Sequence, residues 1–104
     1  MVVMTTVPDA LVAGSIATRL LEENLVACVN ILPGVLSLYR WQGEIRRDSE
    51  VLLLAKTTSA VVANLSERIV ELHPYDLPEV LALPAPAGSV EYFDWVRGEV
   101  GSVA

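Results

Sequence analysis

Two extended arms joined by Gln42-Gly43 constrain this chain more than any other stretch. Leu25 to Tyr39 runs into the turn and Glu44 to Thr57 returns from it. Each arm is about 14 residues, ~45 Å at ~3.3 Å per residue. A domain of ~100 residues has a radius of gyration of only ~13 Å. A hairpin of that length should therefore project from its own domain onto something else. Val51-Leu52-Leu53-Leu54-Ala55 in the returning arm is apolar without alternation, as is Val80-Leu81-Ala82-Leu83 further on. Strands of that kind are covered on both faces. The two helices available here can cover one face of a small sheet, so the other should meet another subunit.

Pro33-Gly34 interrupts the first arm. Proline donates no ladder hydrogen bond and glycine accepts a left-handed backbone, so the pair marks a bulge. Folding about Gln42-Gly43 sets Trp41 opposite Glu44 and Val35 near Glu50. Skipping both Pro33 and Gly34 then sets Ile31 near Leu52 and Cys28 near Ala55.

The remaining elements follow from periodicity. Val2 to Val7 is a β-branched run that reads as a buried strand. Pro8-Asp9 opens a helix whose apolar stripe is Ala13, Ile16, Ala17, Leu20 and Leu21, and Asn24 is placed to end it in a left-handed cap. Thr57-Thr58-Ser59 offers N-caps to a second helix with the stripe Val61, Val62, Leu65, Ile69 and Leu72. That helix must stop at His73, because the residue before a proline is pushed out of the α region. Glu79 to Leu83 is a fourth strand. Ser89 caps a short last helix carrying Tyr92, Phe93 and Val96, with Trp95 on an adjoining face. The order is β-α-β-β-α-β plus a C-terminal helix: an α+β, ferredoxin-like subunit with a long central hairpin, in a single domain over residues 1–104.

Composition excludes several classes. Thirteen Asp and Glu against seven Lys and Arg give a net charge of −6, which disfavours nucleic-acid phosphates as partners. Hydrophobic residues make up 53% of the chain and mean hydropathy is +0.49, yet no apolar run approaches the ~20 residues of a membrane span. Neither a membrane segment nor a signal peptide is expected. Cys28 is the only cysteine, which excludes an intrachain disulfide and suits a reducing cytoplasm.

The densest polar stretch of this apolar chain is Glu71-Leu72-His73-Pro74-Tyr75-Asp76-Leu77-Pro78-Glu79, which holds the only histidine. Here the chain resembles a known family. Ala27-Cys28-Val29-Asn30-Ile31-Leu32-Pro33-Gly34, Tyr39-Arg40-Trp41-Gln42-Gly43, Lys56-Thr57-Thr58 and His73-Pro74-Tyr75-Asp76-Leu77-Pro78-Glu79 are similar, in order and spacing, to the CutA divalent-cation tolerance family. The resemblance runs from Thr6-Val7-Pro8-Asp9 to Tyr92-Phe93-Asp94-Trp95. It implies a cytoplasmic homotrimer, related in architecture to PII signalling proteins and linked to copper and other divalent metals. Some members carry a cysteine near the end of the first strand, where this chain has Thr5; the difference removes a soft ligand.

Three functions are weighed. The leading one is a metal-tolerance protein that binds copper or zinc weakly through His73, Glu79 and Cys28, with no cofactor required. Cys28 as a small buried hydrophobe, and His73 as a partner of backbone carbonyls at the helix end, are the plainer readings of those residues. The second function is a PII-like small-molecule sensor with inter-subunit clefts lined by Lys56, Tyr39, Trp41, Tyr75, Trp95 and Glu50. Lys56 shares a sheet face with Leu52 and Leu54, where a lysine needs a partner; Glu50 or Glu79 is expected to supply one. The four aromatic residues can equally be interface anchors. An enzyme with His73 as general base and Glu79 orienting it is the third and is not expected. The chain has no nucleophile elbow, phosphate loop, His-x-x-x-His or Cys-x-x-Cys.

Overall fold

A computed structural model describes residues 1–101; Ser102 to Ala104, the end of the expected single domain, lie outside the described residues. The chain forms β1 (Val2–Val7), α1 (Ala10–Glu22), β2 (Cys28–Trp41), β3 (Glu44–Lys56), a 3-10 turn (Ser59–Val61), α2 (Val62–Leu72), β4 (Leu81–Leu83) and α3 (Val90–Glu99). The four strands make one antiparallel sheet in the order β2-β3-β1-β4. No helix among the described residues is long and apolar enough to cross a membrane.

Local chemistry sets the ends of the elements. The Asp9 carboxylate accepts from the Val12 amide at 2.8 Å and caps α1, while Asn24 closes it at φ 57°. The Ser89 hydroxyl accepts from the Tyr92 amide at the start of α3. The second helix differs from expectation. No side chain caps it; the Thr57 hydroxyl instead donates to the Leu25 carbonyl at 2.7 Å, tying the end of β3 to the α1–β2 connection.

The α1 stripe (Ala13, Ile16, Ala17, Leu20) and Leu65 and Ile69 of α2 pack on alternate residues of the sheet: Val3 and Val7 of β1, Val51, Leu53 and Ala55 of β3. Leu21, assigned to that stripe from its spacing, is 43% exposed. Val96 and Val100, at the end of α3, form a satellite cluster with Val61 and Ala27.

The opposite sheet face has no helix. Val2, Met4, Leu52 and Leu54 lie half-buried there, and Leu32, Leu81 and Leu83 are exposed. The hairpin passes the end of the sheet as its length requires: β1 pairs with β3 only from Val51 to Lys56, leaving residues 44–50 paired to β2 alone. Leu38 and Ile45 on this projecting part are 62% and 75% exposed. Gln42 (φ 50°) and Gly43 (φ 80°) make the tight turn.

The bulge falls at Pro33-Gly34, with Gly34 at φ 79°, but it absorbs one residue and not two. Val35 faces Glu50 and Leu32 faces Leu52, so Pro33 and Gly34 together oppose Val51 alone. Beyond it the expected register is off by one: Ile31 pairs with Leu53 and Cys28 with Lys56. A one-residue slip changes the sheet face of every side chain, and here it moves Cys28 onto the open face beside Lys56. β4 is also shorter than expected. Pairing stops at Met4–Leu81, and the Thr6 carbonyl, which a longer β4 would approach, is bonded instead by His73 at 2.8 Å.

Candidate functional site

The corner after α2 and the projecting hairpin enclose a cleft of about 830 Å³. His73 leaves the helix with extended backbone (φ −79°, ψ 137°), as Pro74 requires. Its ring is buried, and both nitrogens are engaged. Nε2 lies 2.8 Å from the Thr6 carbonyl, which can only accept, so Nε2 carries the proton. Nδ1 then accepts from the Tyr75 amide at 3.2 Å. The imidazole stitches the corner to the end of β1 in one neutral tautomer. It does not line the cleft.

Tyr75, turned back by this bond, sets its ring 4.7 Å from that of His73. Its hydroxyl donates to Glu50 Oε2 at 2.7 Å. Burial first, then the Glu50 hydrogen bond and charge, push the Tyr75 phenol well above the usual tyrosine range, which keeps it a donor. Glu50 is the last β3 residue before β1 pairing begins and is only 8% exposed. Two and four residues further out on the same face are Asp48 and Arg46; on β2, Ser37 faces Asp48, Tyr39 faces Arg46, and Trp41 follows one pair further out, opposite Glu44. Asp48 accepts from the Tyr39 hydroxyl, and this bond raises the Tyr39 phenol as well. Glu79 lies on the corner side of the cleft.

Of the residues expected to build a cleft, Tyr39, Trp41, Glu50 and Tyr75 come together, and Glu79, expected as a metal ligand, joins them. Lys56 and Trp95 do not. Lys56 stands at the other end of β3, where its ammonium reaches Asn30 Oδ1 and lies 3.9 Å from Cys28 Sγ. Its partners are thus the β2 residues that the bulge register places opposite, not Glu50 or Glu79. Trp95 is on α3, its ring 5.7 Å from that of Tyr92. Tyr92 in turn meets Cys28, and burial with that contact raises its phenol too. Arg46 and Asp48 are charged cleft residues that the motifs do not single out, although the turn-proximal register, with Val35 across from Glu50, puts both on the cleft face.

The expected metal ligands divide between the two ends of the sheet. Cys28 sits level with Val2, across Lys56, whereas His73 bonds Thr6. Four residues of β1 separate them, ~13 Å at ~3.3 Å per residue. No three His, Cys, Asp or Glu side chains among the described residues are grouped to hold a metal ion. Thr5 faces the helices and is 2% exposed, so its side chain belongs to the core here.

A sequence profile described as CutA1 divalent ion tolerance protein matches residues 1–99. The chain belongs to this family. Its relatives include the divalent-cation tolerance protein CutA of Thermus thermophilus, 54% identical over 96% of this chain and 97% of the relative. The human protein CutA is 43% identical over 95% of this chain, which spans only 55% of that longer relative. Among solved structures, the divalent cation tolerance protein of Thermus thermophilus superposes with a TM-score of 0.93 at 54% identity, covering 96% of this chain and 97% of that one. CutA1 of Oryza sativa gives 0.93 at 39% identity, covering 96% and 92%.

Proposed function

We propose that this chain is a divalent-cation tolerance protein that works as a trimer of ferredoxin-like subunits and binds Cu(II) or Zn(II) weakly and exchangeably. Membership of the CutA1 divalent ion tolerance family over residues 1–99 carries the functional reading. The strand order β2-β3-β1-β4, with α1 and α2 on one face, supports the ferredoxin-like subunit. Assembly is supported by the open apolar face of Val2, Met4, Leu52, Leu54 and Leu83 and by the hairpin that overshoots its own sheet. Three is the copy number that the family resemblance implies.

Weak metal binding follows from the donors. For His73 to ligate, Nδ1 must give up the Tyr75 amide, a hydrogen bond worth about 1 kcal/mol. Glu79 adds an oxygen, and Cys28 joins the set only from another subunit. The role is binding and not catalysis, because the one histidine spends its lone pair on the Tyr75 amide and faces no cleft. The cytoplasm is the proposed compartment, supported by the free thiol of Cys28. Relatives named as chloroplastic, from Arabidopsis thaliana, and periplasmic, from Archaeoglobus fulgidus, differ in this respect.

Calorimetric titration with Cu(II), on wild type beside His73→Ala and Cys28→Ser, tests the metal reading. Affinity should drop in His73→Ala and fall as pH is lowered, since protons compete with the metal for its donors. Equal Cu(II) affinity in His73→Ala removes this corner from the ligand set. Sedimentation at micromolar concentration should give three times 11.2 kDa, and a folded monomer would overturn the assembly.

A further inference from the structure

We propose that the hydrogen bond from Tyr75 to Glu50 is a latch: it sets the angle of the projecting hairpin and so prepares it to dock on a second copy of this chain. The docking rests on the assembly proposed above, whereas the latch is read from the subunit itself.

The pivot lies where the ladder changes. Val51 pairs with Val7, the last residue of β1, and is also the residue that Pro33 and Gly34 together oppose. A bulge bends its strand and interrupts the ladder. From Glu50 outward β3 is held by β2 alone, and Leu36, Leu38 and Ile45 of this part are exposed, outside their own subunit's core. The cleft separates the hairpin from the corner. Among the described residues one hydrogen bond crosses between them, from the Tyr75 hydroxyl to Glu50 Oε2 at 2.7 Å. Tyr75 is itself fixed, because its amide donates to His73 Nδ1 and the same ring bonds the Thr6 carbonyl. The latch therefore ties the frame of β1 to the first residue beyond the pivot.

Leverage makes a bond at the root decide the position of the tip. Six residues lead from Glu50 to Glu44 at the turn, ~20 Å at ~3.3 Å per residue. A swing of ~20° about the bulge carries the tip ~7 Å and a carboxylate ~5 Å from the pivot ~2 Å, enough to break a hydrogen bond. Opening also has somewhere to go. Glu50 is only 8% exposed, and without the phenol its carboxylate is better solvated by turning outward. A hairpin already held at its docking angle avoids the ordering cost at assembly.

The test follows time-resolved fluorescence anisotropy of Trp41, beside the turn, in a Trp95→Phe background. The protein concentration for half-dissociation is measured by sedimentation in a fixed, sub-denaturing concentration of urea. Tyr75→Phe keeps the ring and the amide but removes the latch. The pair Tyr75→Phe with Glu50→Leu removes it without leaving a buried carboxylate unpaired, which spares subunit stability. Both should enlarge the nanosecond motion of Trp41 and raise the half-dissociation concentration about tenfold, the weight of one hydrogen bond to a charged group. Glu50→Gln keeps an acceptor for the phenol and should stay near wild type in both readings. Unchanged Trp41 motion in the two latch-less proteins overturns the proposal. So does increased motion with an unchanged half-dissociation concentration. A wild type that is a folded monomer ends the assembly reading and the docking role with it, while the anisotropy still decides the latch, so the two fail separately.

Discussion

Thr5→Val should stabilise the protein. Thr5 lies on β1 between Val3 and Val7, faces the helices and is 2% exposed. Its Oγ1 is buried and has no hydrogen-bond partner among the described residues. The unfolded chain hydrates this hydroxyl, so folding costs its desolvation, about 1–3 kcal/mol for an unpaired buried polar group. Valine has the same branched shape and puts a methyl group where the hydroxyl was. It removes the penalty and buries one more carbon, worth up to ~0.8 kcal/mol. Partial relaxation around the site lowers the sum, and a net gain of about 1–2 kcal/mol is expected. For a domain of ~100 residues this raises Tm by several degrees, at ~4 °C or more per kcal/mol. Urea unfolding of both proteins should be followed at one protein concentration, because coupled dissociation makes the midpoint concentration-dependent. A shifted midpoint with an unchanged slope reports stability itself. Thr5→Ser serves as the control: it keeps the hydroxyl, loses the methyl and should be destabilised by about 1 kcal/mol. A neutral or destabilised Thr5→Val would show that the hydroxyl has a partner, and the reasoning from an orphaned donor would fail.

Leu54→Glu, in the middle of the open sheet face, should abolish assembly, read as a fall in sedimentation mass toward one subunit; an unchanged trimer would mean that this face is not the interface. All three tyrosines have raised phenol pKa values, so absorbance at alkaline pH should show phenolate forming later than in the unfolded chain. The folded state holds these protons where the unfolded state has lost them, so their contribution to stability is full below the unfolded phenol value of 10.0 and is lost as pH rises above it; Tyr75→Phe should flatten that decline. Arg68 clamps Glu23 through two bonds of 2.8 and 2.9 Å and reaches Glu71 at 3.0 Å. Arg68→Ala should therefore lower the melting temperature, less so in high salt. The Arg68 hydrogen bond holds the Glu23 carboxyl below its usual value of 4.5. Its contribution should be full above that pH and fade as pH falls through the lowered value, a fade that Arg68→Ala removes.

Much of the cleft is legible in the sequence, because hairpin geometry propagates from the turn. Gln42-Gly43 dictates Trp41 against Glu44, and counting outward by two gives the common face of Trp41, Tyr39, Glu50 and, on the same count, Asp48. Beyond Pro33-Gly34 the count fails. Proline and glycine mark a bulge but do not say how many residues it absorbs. The partners of Lys56 are misassigned for this reason, since Cys28 and Asn30 reach it only in the register that the ladder adopts. Trp95 is misplaced for a different reason. Helical spacing puts it on a face of α3 without saying where α3 docks, and the packing of Val96 and Val100 on Val61 and Ala27 decides that.

Local chemistry by itself determined the order of elements, the helix ends at Asp9, Asn24, His73 and Ser89, and the need for something to cover the second sheet face. These depend on interactions within a few residues, or on apolar patterning that any water-excluding fold must respect. Only the tertiary structure decided what His73 does. Its two nitrogens are spent on Thr6, 67 residues away in sequence, and on Tyr75. It likewise decided that Glu50 is buried against Tyr75 while its neighbour Asp48 binds Tyr39. A side chain's type announces that it can donate or accept, but which group it meets depends on chain segments brought together only by packing. That is why the motif announces a histidine, a tyrosine and a glutamate as donors and acceptors, while the packed chain decides that His73 and Tyr75 stitch the corner to β1 and to Glu50.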